Sequence, residues 1–188
     1  MGSVTEKGPQ SLGAAVSMIL GDTARGVMRF VQVDPDTCVM EGTIDGLSPG
    51  AHGLFIHELG DVSRGCASCG EVFDSRGQSG GKKAGDLGLV TATEEGRAKY
   101  RLNTSRIKIW NVIGRSVVIH TAEERVACGI IARSSGLFEN DKRICACDGV
   151  TLWDERDVPI AGPGRSRLKT HVNTNATCCD SGTAKCDV

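Results

Sequence analysis

From residue 12 to residue 133 the chain is a succession of short apolar, β-like runs separated by turn residues. The runs fall at 14–20, 26–33, 38–44, 53–58, 87–93, 97–102, 116–120 and 127–132. Between them stand Gly21-Asp22, Asp34-Pro35-Asp36, Ser48-Pro49-Gly50 and Glu95-Gly96, the residue types that reverse a chain tightly. Helical periodicity is nearly absent. Many short strands joined by Gly-rich turns predict an all-β sandwich or barrel. Residues 60–86 interrupt this rhythm with a polar, glycine-rich stretch around Arg76–Lys83, read as a long functional or unstructured loop. The expected organisation is a loose polar leader over 1–11, a β domain over 12–133, a separate segment over 134–164, and a polar, disordered tail over 165–188.

Composition supports this layout and removes several functions. A chain of 188 residues is long enough for one ordinary core and a tail. Its 25 glycines and 4% aromatics fit turns between short strands better than a helical bundle. A formal net charge of −1 gives no electrostatic footprint for nucleic acid or an anionic membrane, so neither is an expected partner. No apolar run approaches the roughly 20 residues that span a bilayer. Leu12–Leu20 has the apolar weight of a signal core, but Glu6 precedes it and no small-residue cleavage pattern follows, so it is read as the first strand. Asn103-Thr-Ser and Asn175-Ala-Thr match the glycosylation sequon at the level expected by chance.

Nine cysteines exclude a purely intramolecular disulfide scaffold by parity. Their uneven spacing (Cys38, Cys66, Cys69, Cys128, Cys145, Cys147, then Cys178, Cys179 and Cys186) points to a reducing, cytoplasmic compartment, with one structural bridge and several working thiols. Cys145-Ala-Cys147 is the most specific of them. A spacing of two lets both sulfurs point to one side of an extended chain. Two such thiolates suit Cu(I), leaving the metal open to a partner's ligands, and equally suit thiol–disulfide exchange. The plain alternative is a pair of thiols in a loose tail. Cys66-x-x-Cys69 reads as a redox or metal pair, but zinc would normally need four ligands and no second Cys/His pair is spaced to complete them.

Gly50-Ala-His-Gly-Leu-Phe-Ile-His-Glu-Leu-Gly-Asp61 resembles the copper-site signature of the copper/zinc superoxide dismutase family. Gly85-Asp-Leu-Gly88 is similar to that family's zinc-loop exit, and Val112–His120 to its last copper strand. Arg125–Ile131 resembles the strand bearing its second disulfide cysteine. Ile144–Arg156, with Cys-x-Cys-Asp-Gly and Trp-Asp-Glu-Arg, resembles instead the third domain of copper chaperones for superoxide dismutase. The resemblance implies a Greek-key β-barrel followed by an extended Cys-x-Cys tail. It implies a Cys66–Cys128 disulfide tying the long loop to the barrel, worth roughly 2–4 kcal/mol if formed; reduced, the two are ordinary buried thiols.

The departures from the family are as informative. His57 and His120 match two copper positions and Asp86 a zinc position, but Phe55 and Val72 replace the first and bridging ligands, and Ser79 stands for a zinc histidine. The segment between His120 and the last strand is cut to Thr121-Ala-Glu-Glu124. The remaining imidazoles are therefore vestigial and read as packed core residues, and neither dismutase activity nor resident zinc is expected by this comparison. His52 is implied to brace the barrel, and Arg125 to be a bracing or surface residue. Gly60, Ile113, Gly114 and Ile130 match the patch through which dismutase subunits pair, whereas Arg133 replaces an apolar interface residue. The implied function is delivery of Cu(I), a disulfide, or both to copper/zinc superoxide dismutase within a heterodimer, with a homodimer as a further pairing. Disulfide transfer would be enzymatic in kind, although small-molecule turnover is not implied. A binding-only relative that pairs without delivering is the alternative reading; a true dismutase is the second alternative. The chaperone family usually begins with a Met-x-Cys-x-x-Cys domain that this sequence lacks, so the chain is expected to be a fragment or variant, or to obtain copper another way.

Overall fold

The computed structural model describes residues 12–75, 81–122, 124–135, 157–159 and 161–163. The leader at 1–11, Ser79, Cys145, Cys147, Cys178, Cys179, Cys186 and the tail from 165 lie outside the described residues.

Among the described residues there are nine strands: β1 Ala14–Gly21, β2 Arg25–Gln32, β3 Cys38–Asp45, β4 Gly50–His57, β5 Ser63–Cys66, β6 Asp86–Ala92, β7 Ala98–Thr104, β8 Ser116–Thr121 and β9 Glu124–Ser134. A 3-10 turn, Ala67–Cys69, follows β5, and a single helical turn, α1 Ile109–Val112, precedes β8. All but β5 close an antiparallel barrel in the order β1-β2-β3-β7-β6-β4-β8-β9. Strands β3 and β4 are consecutive in sequence yet separated by β7 and β6, the crossover of a Greek key. Closure is weakest between β6 and β7, which pair only at Ala92 opposite Ala98.

Alternation along the strands builds the interior. Met28, Phe30 and Gln32 of β2 point inward with Met40 and Ile44 of β3, Leu54 and Ile56 of β4, and Ile119 of β8. The buried amide of Gln32 is satisfied at both ends, donating to the Asp34 carbonyl at 2.8 Å and accepting the Ile109 N–H at 3.0 Å. The Asp-Pro-Asp turn closes because the Asp34 carboxylate accepts the N–H groups of Asp36 and Thr37, both at 2.7 Å. At the other end of the barrel Asp45 and Arg97 form a buried ion pair at 3.5 Å.

The eight predicted runs are the eight barrel strands, with β4 starting at Gly50 rather than 53 and β9 at Glu124 rather than 127. Pairing, not side-chain hydrophobicity, recruits Gly50 and Ala51, which sit opposite Ala92 and Thr91. Elements β5 and α1 were outside the expectation, because four residues carry too little periodicity to read.

Candidate functional site

The outer face of β4 and β8 carries the residues singled out from the sequence. Because Leu54 and Ile56 face the core, Phe55 and His57 face outward, and the β4–β8 register brings His120 among them. The loop after β4 folds over this face. His57 is fully buried beneath it, paired across an isolated bridge with Val72.

His57 Nδ1 lies 2.9 Å from the Gly70 carbonyl oxygen, which can only accept, so Nδ1 carries the proton. Its Nε2 is then the acceptor for His120 Nε2–H at 3.1 Å. The Phe55 ring packs 4.7 Å from His120 and edge-on to His57 at 6.5 Å. Burial lowers the pKa of both histidines. For His120, burial, then His57, then Arg125 push it down to about 4. For His57, burial outweighs the opposing Gly70 hydrogen bond. Both imidazoles are neutral at pH 7.

These residues do not fit the dismutase family's metals. Two imidazole nitrogens converge, but Phe55 and Val72 offer only hydrocarbon at the next positions. The Asp86 carboxylate is turned to the Gly88 N–H at 2.9 Å and to Lys82 at 3.6 Å. Among the described residues no group of three His, Cys, Asp or Glu side chains could hold a metal ion. Redox cycling of copper requires a fuller, fixed set of ligands.

The cysteines around this face form a small second core. Cys66 and Cys128 are disulfide-bonded, with Cα atoms 5.5 Å apart. Cys69 and Val118 pack against them. Cys69 is a buried free thiol donating to the Asp61 carbonyl at 3.5 Å, so the Cys66-x-x-Cys69 spacing does not make a bonded pair here. Arg125 donates to the Cys66 carbonyl at 3.1 Å, bracing β9 against the loop. His52 is also a brace: Nε2–H donates to the Ser48 carbonyl at 2.7 Å, and Nδ1 accepts from the Thr121 hydroxyl at 2.7 Å. Burial raises the Cys38 thiol to about 11, which keeps it protonated and inert.

Gly60, Gly114 and Ile130 adjoin one another. A side chain at Gly60 would run into the Gly114 carbonyl oxygen and approach Ile130 Cγ2 to 3.3 Å. Space above Gly114 (φ +82°) is open, and Ile130 is 41% exposed. Leu59 at 51% and Val62 at 40% exposure extend the apolar surface along the loop, while Ile113 is half-buried at its base and Arg133 is exposed further along β9. The sequence reading missed the residues that hold this loop down. Arg115 donates to the Asn111 carbonyl at 2.7 Å and the Glu58 carbonyl at 2.8 Å, with its guanidinium 4.0 Å over the Phe73 ring. Ser116 donates to the Leu59 carbonyl at 2.7 Å. Their only sequence signal is their place beside Gly114.

The profile of the copper/zinc superoxide dismutase (SODC) family matches residues 24–131. The chain is 48% identical over 181 residues to the copper chaperone for superoxide dismutase of Homo sapiens, covering 83% of this chain and 66% of that protein. It is 40% identical over 147 residues to the chloroplastic copper chaperone for superoxide dismutase of Oryza sativa subsp. japonica, covering 76% and 47%. It is 33% identical over 151 residues to the superoxide dismutase 1 copper chaperone of Debaryomyces hansenii, covering 73% and 60%. The chain thus spans no more than 66% of the length of these relatives. No helix among the described residues is long and apolar enough to cross a membrane. With a closed Greek-key barrel and a matching profile over most of it, the chain belongs to the copper/zinc superoxide dismutase family and is similar, within it, to the copper chaperones for superoxide dismutase.

Proposed function

We propose that this chain matures copper/zinc superoxide dismutase, docking on the immature enzyme through the Gly60–Gly114–Ile130 patch and serving it through Cys145 and Cys147. The observation that carries this reading is a contrast. The dismutase metal position is filled by a phenyl ring and a self-bonded histidine pair, while the neighbouring apolar patch is open and its loop firmly held. Among the described residues the barrel offers no metal site, and its open apolar patch supports action on another protein.

Cu(I) is cargo in this reading, held between the two thiolates and released when the client's ligands displace them one at a time. The same pair has a balanced disulfide route. A client thiolate attacks one sulfur of a Cys145–Cys147 disulfide, and the other sulfur leaves as thiolate. The second client thiolate then displaces the first bond, leaving the client's disulfide and a reduced Cys145/Cys147 pair. The buried free thiols Cys38 and Cys69 agree with a reducing, cytoplasmic setting. Nucleic acid and membrane have no part in it.

Docking is tested by sedimentation of the chain with reduced, metal-free dismutase monomer. A heterodimer is expected with the wild type. With Ile130→Asp, binding should weaken about tenfold or more, as for loss of a central interface anchor. A chain that pairs only with itself, or a complex indifferent to Ile130→Asp, overturns this assignment.

A further inference from the structure

The chain beyond the Cys-x-Cys pair returns to the barrel. Strand β9 releases the chain at Ser134, opposite Ala14, at the end where β2 turns into β3. Gly162 lies at the other end, against the turn that follows Asp45 and the turn joining Ala92 to Ala98. There a methyl group on Gly162 would stand 3.0 Å from the Gly46 amide nitrogen and 3.6 Å from the Glu95 carbonyl oxygen. Gly162 has φ +75°, a conformation that glycine adopts without strain. Backbone thus meets backbone at a distance that a side chain would deny. The two turns that receive it are themselves joined, Leu47 N–H donating to the Gly96 carbonyl at 3.1 Å. Val158, Pro159, Ala161 and Gly162 are half-buried. Asp157 lines a shallow groove of about 300 Å³ with Lys99, Tyr100 and Arg101 of β7 and Glu41 and Thr43 of β3.

We propose that the end of the barrel formed by the Gly46 and Glu95–Gly96 turns is a docking site for this chain's own residues 157–159 and 161–163. The intervening span, a strap in sequence alone, then runs between two placed residues, Ser134 and Asp157: Cys145 is eleven residues past Ser134, and Cys147 ten residues before Asp157. A fully extended chain reaches about 3.6 Å per residue, so Cys145 stays within about 40 Å of Ser134 and Cys147 within about 36 Å of Asp157. Only an acceptor inside both radii, such as a protein docked on this barrel, comes within their range. The use made of the strap rests on the maturation reading above; its existence does not.

The test is amide relaxation and chemical shift in the metal-free full chain, without any client. Val158, Ala161 and Gly162 are expected to show order parameters of about 0.8, as in rigid backbone. In Gly162→Val they should fall below about 0.6, and the Gly46 and Glu95 resonances should move while those of Leu54 and Ile119 stay. A second variant ending at Arg156 should move the same two turn resonances. Coil-like order parameters in the wild type, or turn resonances indifferent to both variants, overturn the proposal. An ordered 157–163 segment in a chain that fails to activate dismutase would leave the anchor standing and remove only the maturation reading.

Discussion

Acidification should destabilise this barrel through the His57–His120 pair, and the size of the effect follows from how the pair is held. His120 titrates near 4 in the fold against 6.5 when free, chiefly because burial disfavours its charge, with His57 and Arg125 adding repulsion. Between those two values the unfolded chain binds a proton that the folded chain refuses. Stability from this group is therefore complete above about pH 6.5, falls as pH drops toward 4, and is lost no further below that. Between pH 7.5 and pH 5.0 the loss from His120 is at most about 2 kcal/mol, its full linkage, because the ring is only half-buried and water screens part of the effect. His57 is depressed for the same leading reason and adds to the loss in both proteins compared below. Urea unfolding of the wild type and His120→Phe at the two pH values reads the difference. With a slope of about 2 kcal/mol per molar urea, the wild-type midpoint should fall by up to about 1 M more than that of the variant. Equal pH-dependent falls in the two proteins would refute a buried neutral pair.

The Cys66–Cys128 bridge closes a loop of sequence separation 62, so Cys128→Ser should cost about 4 kcal/mol by loop-closure entropy, read as a lower urea midpoint; a loss below about 1 kcal/mol would contradict that role. Asp45→Ala leaves the Arg97 guanidinium at the barrel end without its carboxylate partner and should cost about 3–5 kcal/mol, measured by thermal or urea unfolding; a neutral effect would show that the pair is solvated. Phe55→His combined with Val72→His restores imidazoles beside His57 and His120. It should confer one equivalent of Cu(II) with visible absorption, whereas Phe55→Ala should not; binding by Phe55→Ala would mean that the two histidines suffice.

The barrel was legible because its strands repeat one pattern: Met28 and Phe30 in β2, or Leu54 and Ile56 in β4, sit at alternate positions that a core must bury. What pairing alone decides was not, hence the later start read for β4 at Gly50 and Ala51. Parity and spacing left Cys66 free to join Cys69 or Cys128; only the family resemblance favoured Cys128, and the fold supplies the reason by turning Cys128 outward on β9 under the loop. The substitutions at Phe55 and Val72 were visible in the sequence. Their consequence, a histidine pair bonded to itself, depends on a register and a loop closure that no local signal encodes. Arg115 and the segment around Gly162 were missed for the same reason. Each acts on residues remote in sequence, and Pro159–Gly164 reads locally only as the end of the 134–164 segment.

The most direct measurement mixes the Cu(I)-loaded chain with zinc-loaded, reduced, copper-free dismutase under a Cu(I) chelator and follows recovered dismutase activity. Wild-type chain should restore activity, and the Cys145→Ser/Cys147→Ser chain should leave it at the level of chelated copper alone. Equal recovery with both chains, or none with either, would contradict maturation through these two thiols.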